Sequence, residues 1–146
     1  MTVATPTLEP IAKHLADTVS GLRAADAGFD VAAGADKTLA SPSALVMPFA
    51  AAFGPNVVGG AVRQQRTHIF SVVLFFTGTG ANGKAAMESF QEVKDGVLEA
   101  LIGWRHPEGA SSVEGVAERL LKFDAKRQLA IYEMRFSHKT HVSKLD

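Results

Sequence analysis

Cysteine is absent from the 146 residues. Its absence excludes disulfides, thiolate metal sites, iron–sulfur clusters and thiol catalysis, and it fits a reducing compartment. An excess of either charge is also missing. Fifteen basic residues balance fifteen acidic ones, so no strong overall field draws the chain to nucleic acid or anionic lipid. No apolar run reaches the ~18 residues of a membrane span; the longest, Ile69–Phe76, is strand-sized. The opening MTVATPTLEP has neither a basic start nor an apolar stretch. A secretory signal is therefore not expected, and a soluble, cytoplasmic product is.

What remains is ordinary for a folded domain. Apolar residues make up 47% and charged residues 21%, which argues against disorder. A chain of this size buries roughly two thirds of its extended surface, enough for one core without staples. We expect a single domain over residues 1–146.

The first element is an amphipathic helix. Leu8, Ile11, Leu15, Val19 and Leu22 recur at three- and four-residue steps, with Lys13, Asp17 and Arg23 off the stripe. Thr7 is the expected N-cap, Pro10 fits the first turn, and Gly28 offers a stop. Residues 28–42 read as loop, with a short strand over Phe29–Val31. Ser43–Phe49 reads as a strand that is an edge at Pro48 or ends there. The Gly/Pro/Asn-rich residues 53–62 read as a flexible excursion that reaches beyond the domain body.

Arg63–Phe76 carries the longest strand signal. Its outer part is polar and its inner part is apolar on both faces, so it belongs in the middle of a sheet. Met87, Phe90, Val93, Val97, Leu98, Leu101 and Ile102 mark a second helix ending at Gly103, with Glu88, Glu92, Lys94, Asp95 and Glu99 at its wet positions. Residues 111–123 fit two patterns: a helix opened by a Ser111–Glu114 capping box, or a strand over Glu118–Phe123. Ala130, Tyr132, Met134 and Phe136 alternate with Glu133 and Arg135, giving a half-buried strand. The hairpin-length connection Asp124–Gln128 favours the strand reading of the segment before it. The expected class is α+β, with a mainly antiparallel sheet flanked by helices in the order α-β-β-α-β-β.

Chemistry finds little foothold. Gly78–Lys84 matches GxxxxGK between a strand and a helix, but the magnesium-holding hydroxyl is replaced by Ala85. We read it as a Gly-rich strand-to-helix turn, with nucleotide binding the alternative. The five histidines, His14, His68, His106, His138 and His141, show no HExxH spacing. His138 and His141 are three apart on a strand end and face opposite sides, so they do not share a metal. Solvated or hydrogen-bonded histidines are expected. No GxSxG elbow is present. Glu88, Glu92 and Glu99 read as a solvated helix face. Arg119, Lys122, Lys126 and Arg127, mixed with Glu118 and Asp124, read as a hairpin tip. Arg63, Gln64, Gln65 and Arg66 form the polar end of an apolar strand, an arrangement that pairs or packs elsewhere, another subunit included.

Several segments together resemble one family. PSALVMPFAAAFGPN at Pro42–Asn56, VRQQRTHIFSVVLFF at Val62–Phe76, VLEALIGWRHPEG at Val97–Gly109 and RLLKFDAKRQLAIYEMRFSHKTHV at Arg119–Val142 resemble, in order and spacing, the tail terminator proteins of long-tailed bacteriophages and prophages. The strongest piece is Ala100–Trp104 followed by Pro107, with Arg105 and His106 between them where the family brings Pro closer to Trp.

The resemblance implies an α/β domain with no catalysis and no cofactor. It implies a six-membered ring on the head-proximal end of the tail tube. The ring ends tube polymerisation, meets the head-completion or neck protein, and lets DNA through its lumen without sequence-specific binding. On that reading Phe53, Asn56, Val57, Val58, Arg63, Gln64, Gln65 and Arg66 contact a neighbouring subunit or the tube, and Trp104 either caps the core or anchors an interface. The rival readings are another neck or tail-completion connector, a nucleotide-binding protein, and a dimeric binding domain for a small ligand.

Overall fold

The stripe of Ile11, Leu15 and Val19 needs a surface to cover, and the long apolar strand supplies it. The structure, a computed structural model, describes residues 5–29, 42–57, 59–77, 83–126 and 128–144. Helix α1 spans Glu9–Thr18, followed by strands β1 (Ala24–Ala27), β2 (Ser43–Phe53) and β3 (Val62–Thr77). Helix α2 spans Gly83–Leu101, and strands β4 (Glu114–Asp124) and β5 (Leu129–Lys144) complete the order. The strands form one sheet in the order β1-β2-β3-β5-β4.

β3 holds the centre. It pairs antiparallel with β2 on one side and, over its whole length, with β5 on the other, from Val62↔Lys144 to Thr77↔Leu129. β4 pairs antiparallel with β5 and so runs parallel to β3. The β3–α2–β4 crossover thus leaves a slot, and β5 fills it as a split β-α-β unit.

Both helices pack on one face of this sheet. Ile11, Leu15 and Val19 from the first helical segment meet Val93, Val97 and Leu101 of α2 over Ala44, Val46, Phe70, Val72, Leu74, Met134 and Phe136. The opposite face carries a second buried cluster of Leu45, Val73, Phe75, Leu129 and Ile131. Burial on both faces explains why the inner half of β3 alternates so little in hydropathy. The helices approach closely because of glycine. A Cβ on Gly96 would stand 3.0 Å from Val19 Cγ1, and one on Gly21 would stand 3.0 Å from Val93 Cγ2. Gly103 ends α2 at φ +86, a left-handed conformation that suits glycine.

Several expectations are corrected. The sheet is mixed, because β1 pairs parallel with β2, Ala24↔Ser43 to Ala27↔Val46. Its sequence, AADA, has no β-branched or aromatic residue to announce a strand. Among the described residues the order is therefore α-β-β-β-α-β-β. The helical stripe stops at Thr18, short of Leu22 and Gly28. Thr7 is not the N-cap. Leu8 is, without a side-chain bond, while the Thr7 carbonyl is held by His106.

β2 does not end at Pro48. It shifts register between Pro48 and Ala50, continues to Phe53, and becomes an edge because β1 has stopped. Phe29 lies outside the strands, and residues 30 and 31 lie outside the described residues. The Ser111–Glu114 capping box is not formed, since residues 114–124 are strand. β5 is buried on both faces rather than half-buried, because Glu133 accepts bonds from Ser71, Arg119 and Arg135 instead of facing water. Met87 and Ile102, placed on the apolar stripe of the second helix, are more than half exposed.

The glycine contact yields a prediction. Gly96→Val forces two branched side chains into space sized for one, and should cost about 1–3 kcal/mol of unfolding free energy. Urea denaturation monitored by circular dichroism would check this, and an unchanged midpoint would contradict the close approach.

Candidate functional site

Three strands run on past the helices and form an arm. β1 stops opposite Val46, but β2 continues to Phe53 beside Arg66 of β3, and β5 continues to Lys144 beside Val62. The polar end of β3, Arg63–Arg66, therefore does not offer its backbone to another chain. Val62–Arg66 is laddered to Lys144–Thr140 within the same molecule. What the arm presents is side chains, together with the outer edge of β2 beyond Pro48, which no strand pairs among the described residues.

The arm's tip is fastened rather than loose. Gly54 N–H donates to Gln65 O at 2.7 Å, and Gln64 Nε2 donates to Gly54 O at 2.9 Å. Asn56 clamps the turn: its Oδ1 accepts from Arg63 N at 2.8 Å, and its Nδ2 donates to Ala61 O at 2.9 Å. Val57 N–H reaches Arg63 O at 3.2 Å. The expected flexible excursion is thus a hydrogen-bonded hairpin end, and Val58 lies outside the described residues.

Its apolar groups face out, with Phe53 59% and Val57 73% exposed. Arg63 and Gln65 are exposed, while Gln64 and Arg66 are half-buried. Arg66 lies 5.6 Å over the Phe53 ring and donates from Nη1 to Thr5 Oγ1 at 2.9 Å. A groove of about 700 Å³ runs between the segment Thr5–Glu9 and the arm, with Phe49, Arg66 and His68 among its lining.

The base of the arm is built on histidines. His68 of β3 and His138 of β5 are register partners with ring centroids 5.4 Å apart, and His106 stacks on His138 at 5.4 Å. His106 is fully buried. Its Nε2 donates to Thr7 O at 2.7 Å, and its Nδ1 accepts from Glu108 N at 2.9 Å, so its partners fix its tautomer. His68 Nε2 bonds Thr140 Oγ1 at 2.8 Å.

His138 Nδ1 is buried without a hydrogen-bond partner, close under Gly109. Burial, then the neighbouring His106 and His68, pushes the His138 ring down to about 4. Burial, Arg66 and His106 lower His68 in the same sense. Among the described residues no group of three or more His, Cys, Asp or Glu is arranged to hold a metal ion. The cluster ties the N-terminal segment, the 105–112 loop and both long strands together where the arm leaves the body.

The other singled-out residues scatter. Trp104 is half-buried against the main core and stacks on His14 at 4.4 Å, with His14 Nε2 donating to Ala100 O at 2.8 Å. At the end of α2, it also meets His106 of the histidine trio edge to face, with ring centroids 5.9 Å apart. His141 is exposed while His138 is buried, as opposite strand faces require. Residues 78–82 of the GxxxxGK segment lie outside the described residues, as does Arg127. Glu88, Glu92 and Glu99 are exposed on α2. Sequence reading missed the histidine trio altogether, because its members come from three separate segments.

Two predictions follow from this geometry. Below about pH 6.5 the unfolded chain takes up a proton that folded His138 refuses until about pH 4, so stability falls as pH drops through that window and is undiminished above it. Melting temperature should decline from pH 7 to pH 4, and His138→Phe should flatten that decline; parallel profiles for the two proteins would contradict the assignment. Asn56→Ala should loosen the tip at a cost of about 1 kcal/mol. Amide exchange at Arg63 should then quicken while β3 core amides keep their protection.

Comparison with known proteins gives this geometry a setting. No curated protein matches the chain. A family model described as phage tail terminator protein matches residues 1–144, nearly the whole sequence. By that match, and in keeping with the resemblance of its four segments, the chain belongs to the phage tail terminator family, whose members are structural components of the virion tail and not enzymes.

Proposed function

We propose that this protein assembles as a ring on the head-proximal end of the tail tube, where it ends tube growth and offers the joining surface to a head-completion or neck protein. The ring is six-membered, forms in the host cytoplasm, and lets DNA pass through its lumen without reading sequence. The whole of residues 1–146 acts as one domain. Family membership supports the setting, and the arm supports the mechanism. A sheet end that outruns its helices and carries exposed Phe53, Val57 and Val62 is costly on a lone soluble molecule and useful at an interface.

Phe53, Asn56, Val57, Val58, Arg63, Gln64, Gln65 and Arg66 make the contact with a neighbouring subunit or the tube. Asn56 and Gln64 hold the tip in shape, and the others meet the partner. Trp104, stacked on His14 at the foot of α2, supports the body behind that contact rather than making it. A standard interface covers about 800 Å² per partner, and a ring member has two such faces.

The test is direct. Purified protein should show rings by negative-stain microscopy and a single ring mass by native mass spectrometry. Added to polymerising tube subunits, it should shorten the tubes. Phe53→Ala with Val57→Ala should fold normally, since both side chains are exposed, yet shift the protein towards monomer. A wild-type protein that stays monomeric and leaves tube length unchanged would overturn the proposal.

A further inference from the structure

The sheet has two lateral edges, and among the described residues neither is closed. In the order β1-β2-β3-β5-β4, β1 covers the outer side of β2 only as far as Val46. From Pro48 to Phe53 no strand pairs that side among the described residues. Gly54 N–H turns inward to Gln65 O. Successive residues of an antiparallel pair alternate between bonded and non-bonded positions, so the backbone groups of Ala51 and Phe53 point outward. At the other edge, β4 is paired by β5 alone. Every residue from Glu114 to Phe123 is exposed, whichever face of the sheet it stands on.

Both edges carry exposed apolar groups. Phe49 and Phe53 on β2 are 49% and 59% exposed, and Val116, Leu120 and Phe123 on β4 are each more than half exposed. Unpaired backbone groups beside such side chains recruit another strand. Each edge is also bulged, β2 between Pro48 and Ala50, and β4 between Gly115 and Ala117 and again between Leu120 and Lys122. Bulges add the twist and curl that a sheet closing on itself needs.

We propose that the outer edge of β2 at Pro48–Phe53 pairs antiparallel with the outer edge of β4 in the next copy. The proposal rests on the ring reading and names the contact that joins its members. Direction fits. β4 runs parallel to β3 and therefore antiparallel to β2. The strands β2, β3, β5 and β4 thus alternate along the sheet, and the alternation continues unbroken where β4 meets the β2 of another copy. Pairing β2 with β2, or β4 with β4, closes one edge and leaves the other open. Joining unlike edges closes both, and it is the head-to-tail contact that a ring requires.

Height fits as well. The free part of β2 is centred at Ala51, opposite His68 of β3, and β4 is centred at Arg119, level through Glu133 with Val73 of β3. The offset from His68 to Val73 is about 17 Å along the strand. From the β2 of one copy to that of the next is four strand spacings, about 19 Å. Aligning the two centres tilts the strands by about 40° to the ring axis, within the ~35–45° that a closed sheet adopts.

The chain has no cysteine, so engineered thiols report on this contact without background. Ala51 and Leu120 are exposed, stand near the centres of the two edges, and share a sheet face with His68 and Tyr132, their register partners. Ala51→Cys with Leu120→Cys in one chain, treated with a short flexible bis-maleimide, should give a covalent ladder on a denaturing gel that ends at the ring mass. A mixture of the two single variants should stop at dimers, and neither single variant should link to itself. Ala51→Pro removes an outward N–H, a change that an edge strand tolerates. It should raise the concentration needed for assembly in sedimentation velocity about tenfold, with circular dichroism checking the fold.

If wild type forms rings but the double variant gives no ladder, the copies meet elsewhere and the ring reading stands. If a single variant links to itself, like edges pair and this contact is wrong. If wild type never assembles, the ring reading fails and this contact with it. Should Ala51→Pro not fold, the thiol ladder decides the contact alone.

Discussion

The pairing of β3 with β5 organises this molecule. Two sixteen-residue strands run in unbroken antiparallel register, with β2 and β4 laid outside them. Each side-chain face is fixed by that register. A slip of one residue would turn Glu133 into the helix-covered core and Met134 out of it. The ladder also sets length. Sixteen strand residues span about 50 Å, whereas the ten and nineteen residues of the two helices span about 15 and 28 Å. The sheet must therefore outrun its cover, and the arm is the part left over.

An uncovered sheet end has limited options. It can be polar, it can be charged, or it can be covered by something else. This arm mixes all three. Gln65, Arg63 and Lys144 face water, Gln64 is bonded to Gly54, and Phe53 and Val57 leave apolar surface exposed. Behind the arm, the histidine trio makes the join between arm and body a dry, bonded seam. His106 there uses both ring nitrogens on backbone groups from different segments. No reacting constellation is needed for such work, and the family is not one of enzymes.

Elements with strong periodicity were legible in one dimension. α1, α2, the inner half of β3 and the existence of β5 as a strand could all be read, because burial repeats at 3.6 or 2.0 residues whatever the partner, although the burial of Glu133 on β5's second face could not. The Gly/Pro/Asn chemistry of the connection after Phe53 marked an excursion, and the four family-like segments marked the setting. Tertiary structure alone decided the rest. β1 is a strand only because Ser43–Val46 stands beside it, since Ala-Ala-Asp-Ala has no preference of its own. Leu8 rather than Thr7 stands at the helix cap, and a histidine ninety-nine residues away holds the Thr7 carbonyl. The polar end of β3 looked free in one dimension and is laddered in three. The histidines looked solvated one by one and form a buried cluster together. Periodicity is a property of one segment, but pairing and the burial of a lone polar group belong to segments brought together, which only the folded chain specifies.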